Sequence, residues 1–213
     1  MSEKNKKNTG AEEIHWDLSD LYKSIDDPQL EQDRETVLEK ADEFAETYKG
    51  RITELDSGQF KKALQEYEDI LEMIGKIGSF AHLLWSTNTS KPEYGKLIQQ
   101  SKELSSEVHQ KLVFFDVEWL DVEEEKAGQW IESDELSHYK HYLETSRRYK
   151  EHILSEKEEQ ILSAKSVTGR SAWNRYFDET LGAAKFELEG EELTEQEVLS
   201  KLHEPNRELR KKA

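Results

Sequence analysis

From residue 28 to about 182, apolar residues recur at steps of three, four and seven, the spacing that keeps side chains on one face of an α-helix. Asp26-Asp27-Pro28 supplies a cap and a first-turn proline. Leu30, Val37, Ala41, Phe44 and Tyr48 then form one stripe before Gly50 ends the run. After Asp56-Ser57-Gly58 a second stripe passes through Phe60, Leu64, Tyr67, Leu71, Ile74, Phe80 and Leu84. A third follows Pro92, with Leu97, Leu104, Val108, Leu112, Phe115 and Trp119 on one side and Lys, Glu and Gln on the other. Three long amphipathic helices joined by short links predict an all-α fold built on an antiparallel bundle.

The second half reads as shorter helices. Asp134 opens one through Tyr139, Tyr142 and Tyr149, and Ser155-Glu156-Lys157-Glu158 is a capping box for another through Leu162. Ser166 to Arg170 is a break. Ala172, Trp173, Tyr176, Phe177 and Leu181 begin a further helix that ends near Gly182. The period then changes to two on either side of Gly190, which predicts one small β-hairpin near 185–193. Thr194-Glu195-Gln196-Glu197 is a second capping box, starting a short helix through Val198 and Leu202. Pro205 is expected in the first turn of a last helix over Asn206 to Ala213, which has no stop signal. So short a helix is marginal in water, so it is expected to be truncated at the C-terminus. The organisation predicted is a disordered tail over 1–12, a long-helix bundle over 13–120, and shorter helices plus the hairpin over 121–213.

Composition narrows the functional classes. Only 34% of the 213 residues are apolar, so the core must lie in stripes, and 47 acidic against 30 basic residues give a net charge of −17. Such a field repels phosphate backbones and anionic lipid, which argues against nucleic-acid and membrane partners. There is no cysteine, hence no disulfide, thiolate ligand or cysteine nucleophile. The N-terminus has no apolar signal segment, and no stretch approaches the ~20 apolar residues of a membrane span. The cytoplasm is the expected compartment.

Candidate chemistry is sparse. A thermolysin-like zinc helix needs His-Glu-x-x-His, because residues four apart bring both imidazoles to one ion. The only His-Glu pair is His203-Glu204, followed by Pro205, with Arg207 where the second histidine would stand. Glu135 and His138 form a Glu-x-x-His with His141 a turn further on, but the companion match, Glu12 to His15, falls in the tail. A solvated helix face is the plainer reading. Gly75 and Gly78 suggest a close helix approach, and Trp16, Trp85, Trp119, Trp130 and Trp173 are read mostly as core. The acidic runs Glu123-Glu124-Glu125 and Glu158-Glu159 are read as solvated. No catalytic, cofactor-binding or metal residue is assigned.

Several short segments, in order and spacing, resemble the N-terminal region of the oligoendopeptidase F family, thimet-oligopeptidase-like zinc metallopeptidases. They are Trp16-Asp17-Leu18-Ser19-Asp20-Leu21-Tyr22; Tyr48-Lys49-Gly50; Tyr67-Glu68; Phe114-Phe115 before Glu118; and Tyr142-Leu143-Glu144 with Arg147. His152 to Glu159, Thr168-Gly169 with Ala172-Trp173, and Pro205-Asn206-Arg207 with Arg210 and Ala213 continue the series. The resemblance implies a wall or lid of a substrate cleft, with the His-Glu-x-x-His helix far downstream. It therefore implies zinc and oligopeptide substrates only for a complete enzyme, no cofactor in this chain, and a C-terminal catalytic region as its partner. The chain alone is expected to be inactive. An independent acidic helical protein-interaction module is the alternative. A docking region is further expected to expose an apolar surface.

Overall fold

The computed structural model describes residues 17–213. The expected tail over 1–12, Trp16, and the Glu12–His15 pair lie outside the described residues. The rest is nearly all helix. Three long helices, α1 (Pro28–Tyr48), α2 (Ser57–Thr87) and α3 (Pro92–Asp121), precede α4 (Glu124–Ile131), a 3-10 turn (Asp134–Tyr139) and α5 (Lys140–Arg147). Then come α6 (Glu156–Thr168), α7 (Arg170–Ala183), β1 (Phe186–Leu188), β2 (Glu191–Leu193), α8 (Glu195–Ser200) and α9 (Arg207–Lys212).

The helix starts follow local chemistry. Asp27 accepts from the Gln29 amide at 3.0 Å, with Pro28 as the first helical residue. Asp56 and Gln59 make a reciprocal capping box at the head of α2. Ser155 with Glu158 and Thr194 with Glu197 do the same for α6 and α8, as expected. The last helix differs. Asn206 is the cap, its Oδ1 accepting from the Glu208 amide at 3.0 Å, so Pro205, expected in the first turn, precedes the helix.

Contacts between helices fix their sense. Asp33 meets Lys76 while Phe44 meets Tyr67, so α1 and α2 run antiparallel. Phe60 meets Trp119 and Gly78 meets Ser101, so α2 and α3 do as well. The α6 helix lies antiparallel on α3, with Ser163 against Ser106 and Gln160 Nε2 donating to the Gln110 carbonyl at 3.1 Å. The expected break at 166–170 narrows to Gly169, because α6 runs on to Thr168 and α7 begins at Arg170.

The core is an aromatic stack. Phe60 lies 4.5 Å from Trp130 and 5.1 Å from Trp119, and Tyr67 lies 4.6 Å from Phe115. Such pairs contribute about 0.5–1.5 kcal/mol each beyond their burial. The first and third predicted stripes are buried throughout. In the second, Leu71 is 43% exposed, because it faces a cleft beside Tyr142 rather than a neighbouring helix. Leu136 and Leu143 are fully buried and seal the base of the stack. The glycine pair divides: a Cβ on Gly78 would sit 3.8 Å from Ser101 Oγ, whereas Gly75 has open space.

The expected hairpin is present and turns on two residues. Glu189 and Gly190 both have positive φ, 56° and 83°, which matches the right-handed twist of the paired strands Phe186↔Leu193 and Leu188↔Glu191.

Candidate docking surface and buried polar cluster

The α7 helix is amphipathic the wrong way round. Trp173, Tyr176, Phe177 and Leu181 fall at helical spacing on one face, and that face points to solvent, with Trp173 70% exposed and Tyr176 and Phe177 each 62%. The opposite face carries the tethers to the bundle. There Arg175 donates to Gln99 Oε1 at 2.7 Å and also pairs with Glu179, while Gly182 lies near Thr89. The expectation that Trp173 belongs to the core is corrected, whereas Trp85, Trp119 and Trp130 are buried. On α6, Ile161 and Leu162 are likewise exposed, because that helix meets α3 through polar residues. An apolar helix face turned outward loses hydrophobic stabilisation unless something else covers it.

The residues that carry the resemblance act mainly as fasteners. Gly50, with φ of +76°, closes α1 in the left-handed conformation. Its amide and that of Ile52 donate to the two oxygens of Glu118, at 2.6 and 3.2 Å. Arg147 donates to the Trp119 and Val122 carbonyls, both at 3.0 Å, pairs with Glu124, and covers the Trp119 ring. Gly169 forms the corner between α6 and α7, where a Cβ would meet the Lys165 carbonyl at 2.8 Å. The pairings of Glu118 and Arg147 could not be found from periodicity, since their partners lie more than twenty residues away.

A second polar cluster sits between α2, α3 and α5. Tyr67 and Tyr142 donate to the two oxygens of Asp116 at 3.3 and 3.4 Å. Burial pushes the Asp116 carboxyl above its ordinary range, and burial followed by the charge of Asp116 pushes both phenols up. Beside it a cleft of about 290 Å³ is lined by Leu64, Leu71, Glu68 and His138, with Tyr139 donating to Glu68 at 2.6 Å. Phenols donating to a buried carboxylate hold helices in register; they supply neither a nucleophile–base pair nor an open site.

The metal chemistry raised by the sequence does not assemble. Glu135 and His138 lie on the 3-10 turn and His141 on α5, but Glu135 Oε2 accepts from Ser57 Oγ at 2.6 Å, and His138 packs edge-on to Tyr139. All six described histidines are exposed, and no group of three or more potential ligands occurs among the described residues. These residues do not fit a zinc ion. The acidic run at 123–125 is exposed, as expected; Glu158 completes the α6 cap and Glu159 accepts from the Leu154 amide. No helix among the described residues is long and apolar enough to cross a membrane.

Comparison with known proteins gives one consistent result. The family described as Oligopeptidase F matches residues 118–186, from the end of α3 through the outward-facing α7. The chain is 28% identical over 205 residues to Oligopeptidase PepF of Bacillus subtilis, covering 93% of this chain and 30% of that protein. It is 30% identical over 148 residues to an oligoendopeptidase F homolog of Borreliella burgdorferi, covering 70% and 24% respectively. For a Lactococcus lactis homolog the identity is 26% over 160 residues, covering 74% and 26%. The chain thus spans less than a third of the length of these relatives. No solved structure matches it. With the family match and these relatives in agreement, the chain is oligoendopeptidase F-related and corresponds to the N-terminal region of that family.

Proposed function

We propose that this chain is a noncatalytic helical wall of the substrate cleft in an oligoendopeptidase F-type zinc metallopeptidase acting on short peptides in the cytoplasm. The observation that carries the reading is the reversed amphipathicity of α7 inside the matched segment, since Trp173, Tyr176 and Phe177 face outward while polar residues face the bundle. The occupant we assign to that face is the remainder of such a protein. The relatives extend well beyond the matched length, and a helix shaped for burial calls for a partner that stays in place. No residue here is assigned to catalysis or to zinc, because the sequence offers no His-Glu-x-x-His and the Glu135–His138 pair is committed elsewhere. Without such ligands there is no activated water and no Lewis acid for a peptide carbonyl.

The test is hydrolysis of a fluorogenic peptide series by the highly purified chain, with and without added zinc. The expected result is no turnover above the blank in either condition. Zinc-dependent cleavage that a chelator removes would overturn the proposal.

A further inference from the structure

Where α6 crosses α3, the contact is made of hydroxyls rather than hydrocarbon. Ser106 Oγ donates to the Ser163 carbonyl at 3.0 Å and lies 3.3 Å from Ser163 Oγ, and Gln110 Nε2 donates back to the Ser106 carbonyl at 3.1 Å. Ser106 is one of the two buried polar residues of the described chain. This polar seam is the floor of a cleft of about 420 Å³.

The formally charged side chains on the walls of that cleft, Lys102 and Arg170, are both cations. Lys102 stands one turn before Ser106 on α3, His109 one turn after it, and Arg170 enters from the Gly169 corner. The corner requires glycine, because a Cβ at position 169 would lie 2.8 Å from the Lys165 carbonyl oxygen. In a chain of net charge −17, no carboxylate lines this cleft. Neither Lys102 nor Arg170 has an ion-pair partner among the described residues, although twelve other such pairs occur. The hydroxyls of Ser105 and Ser171 also line the space, and both are free of protein partners among the described residues. The only aliphatic side chain on the wall is Val167. An apolar ligand finds nothing to pack on, and a cation finds no counter-charge. A compact anion with several acceptor oxygens matches every wall, since a guanidinium, an ammonium and hydroxyls all donate.

We propose that the cleft between α3, α6 and α7 binds a tetrahedral oxyanion, inorganic phosphate or a phosphate monoester, through Lys102 and Arg170. Ser105 and Ser171 are the hydroxyl donors, and His109 closes the rim. The site is independent of the peptidase reading and needs no residue of the α7 apolar face.

The experiment is a titration of inorganic phosphate into the 213-residue chain, at constant ionic strength kept with chloride, followed by amide chemical shifts and by calorimetry. Saturable shifts confined to residues 102–109 and 163–171 are expected. Lys102→Ala and Arg170→Ala should each weaken binding about fivefold or more, and the double variant should abolish it, as befits charge-assisted hydrogen bonds. Both side chains lack intraprotein ion pairs, so the variants should keep the wild-type circular dichroism and melting temperature; a variant that does not is replaced by Lys102→Gln or Arg170→Gln. Phenyl phosphate in place of phosphate distinguishes the two sources: tighter binding assigns the site to monoesters, weaker binding to the free ion. Shifts scattered over the whole chain, affinity unchanged in the double variant, or acetate binding as tightly as phosphate would each overturn the proposal.

Discussion

Glu118 shows how a single side chain can hold a corner that no local pattern announces. In a sequence with 47 acidic residues it reads as one more charge on the polar side of α3. In the fold its two oxygens accept from the amides of Gly50 and Ile52, which turn the chain out of α1, and Ile52 is fully buried. Removing the carboxylate leaves the part-buried Ile52 amide without its acceptor beside the core and returns the exposed Gly50 amide to water. Glu118→Ala should therefore cost about 2–3 kcal/mol, against about half that for Glu118→Gln, which keeps one acceptor. Urea unfolding at neutral pH checks this; a Glu118→Gln variant as stable as the wild type would mean that bulk rather than acceptance matters, and equal loss for the two variants would mean that one neutral acceptor contributes nothing. Gly50 was legible as a helix stop because glycine at positive φ is a local requirement. Its partner, 68 residues away, was not.

At the scale of elements, periodicity revealed the stripes but not which of them would be covered. The stripes of α1 and α3 are buried, as their spacing implied, because α1 packs against α2 and α3, and α3 against α1, α2 and α6. The α7 stripe has the same spacing and faces none. Period alone says that a helix has a side; the tethering of the other side through Arg175 and Gly182 decides which way it points. The capping boxes at Ser155 and Thr194 and the hairpin turn at Glu189-Gly190 were legible because their chemistry closes within four residues. The cleft around Lys102 and Arg170 was not, since its walls come from three helices. Trp173→Ser with Phe177→Ser should leave the unfolding free energy within about 0.5 kcal/mol, as surface changes do. The same pair should sharply reduce binding of a hydrophobic dye and raise solubility. A loss of several kcal/mol would show instead that this face is covered within the chain itself, and the docking proposal would fail with it.

At the scale of the whole molecule, five of the eight tyrosines act in one direction. Burial pushes the Tyr48 and Tyr139 phenols up to about 12, each helped by a hydrogen bond to a glutamate, Glu66 and Glu68 respectively. Tyr22, Tyr67 and Tyr142 are pushed up as well, burial again being the main cause, with Asp33 beside the first and Asp116 beside the other two. These phenols join α1 to the segment before it, α2 to α3, and the 3-10 turn and α5 to the bundle. A phenol in the unfolded chain loses its proton near pH 10, whereas in the folded chain it keeps the proton to higher pH. Between those values the folded state binds more protons than the unfolded state, so stability falls as pH rises. Below pH 10 both states are protonated and the contribution is constant. The chain is therefore expected to weaken progressively from about pH 10 upward, with the slope steepest where several phenols titrate together. Asp116 carries the same sign in the acid range: its raised carboxyl pKa means that it costs stability once ionised, so Asp116→Asn should stabilise the chain at neutral pH and, by removing the charge that helps to raise Tyr67 and Tyr142, should also make the alkaline limb shallower. Melting temperatures of the wild type and of Tyr67→Phe, measured from pH 7 to 12, separate the terms. Tyr67→Phe removes one of the five phenols and should flatten the alkaline slope; an unchanged slope would show that Tyr67 ionises at the same pH folded and unfolded, and that the Asp116 cluster does not bind its proton as the geometry requires.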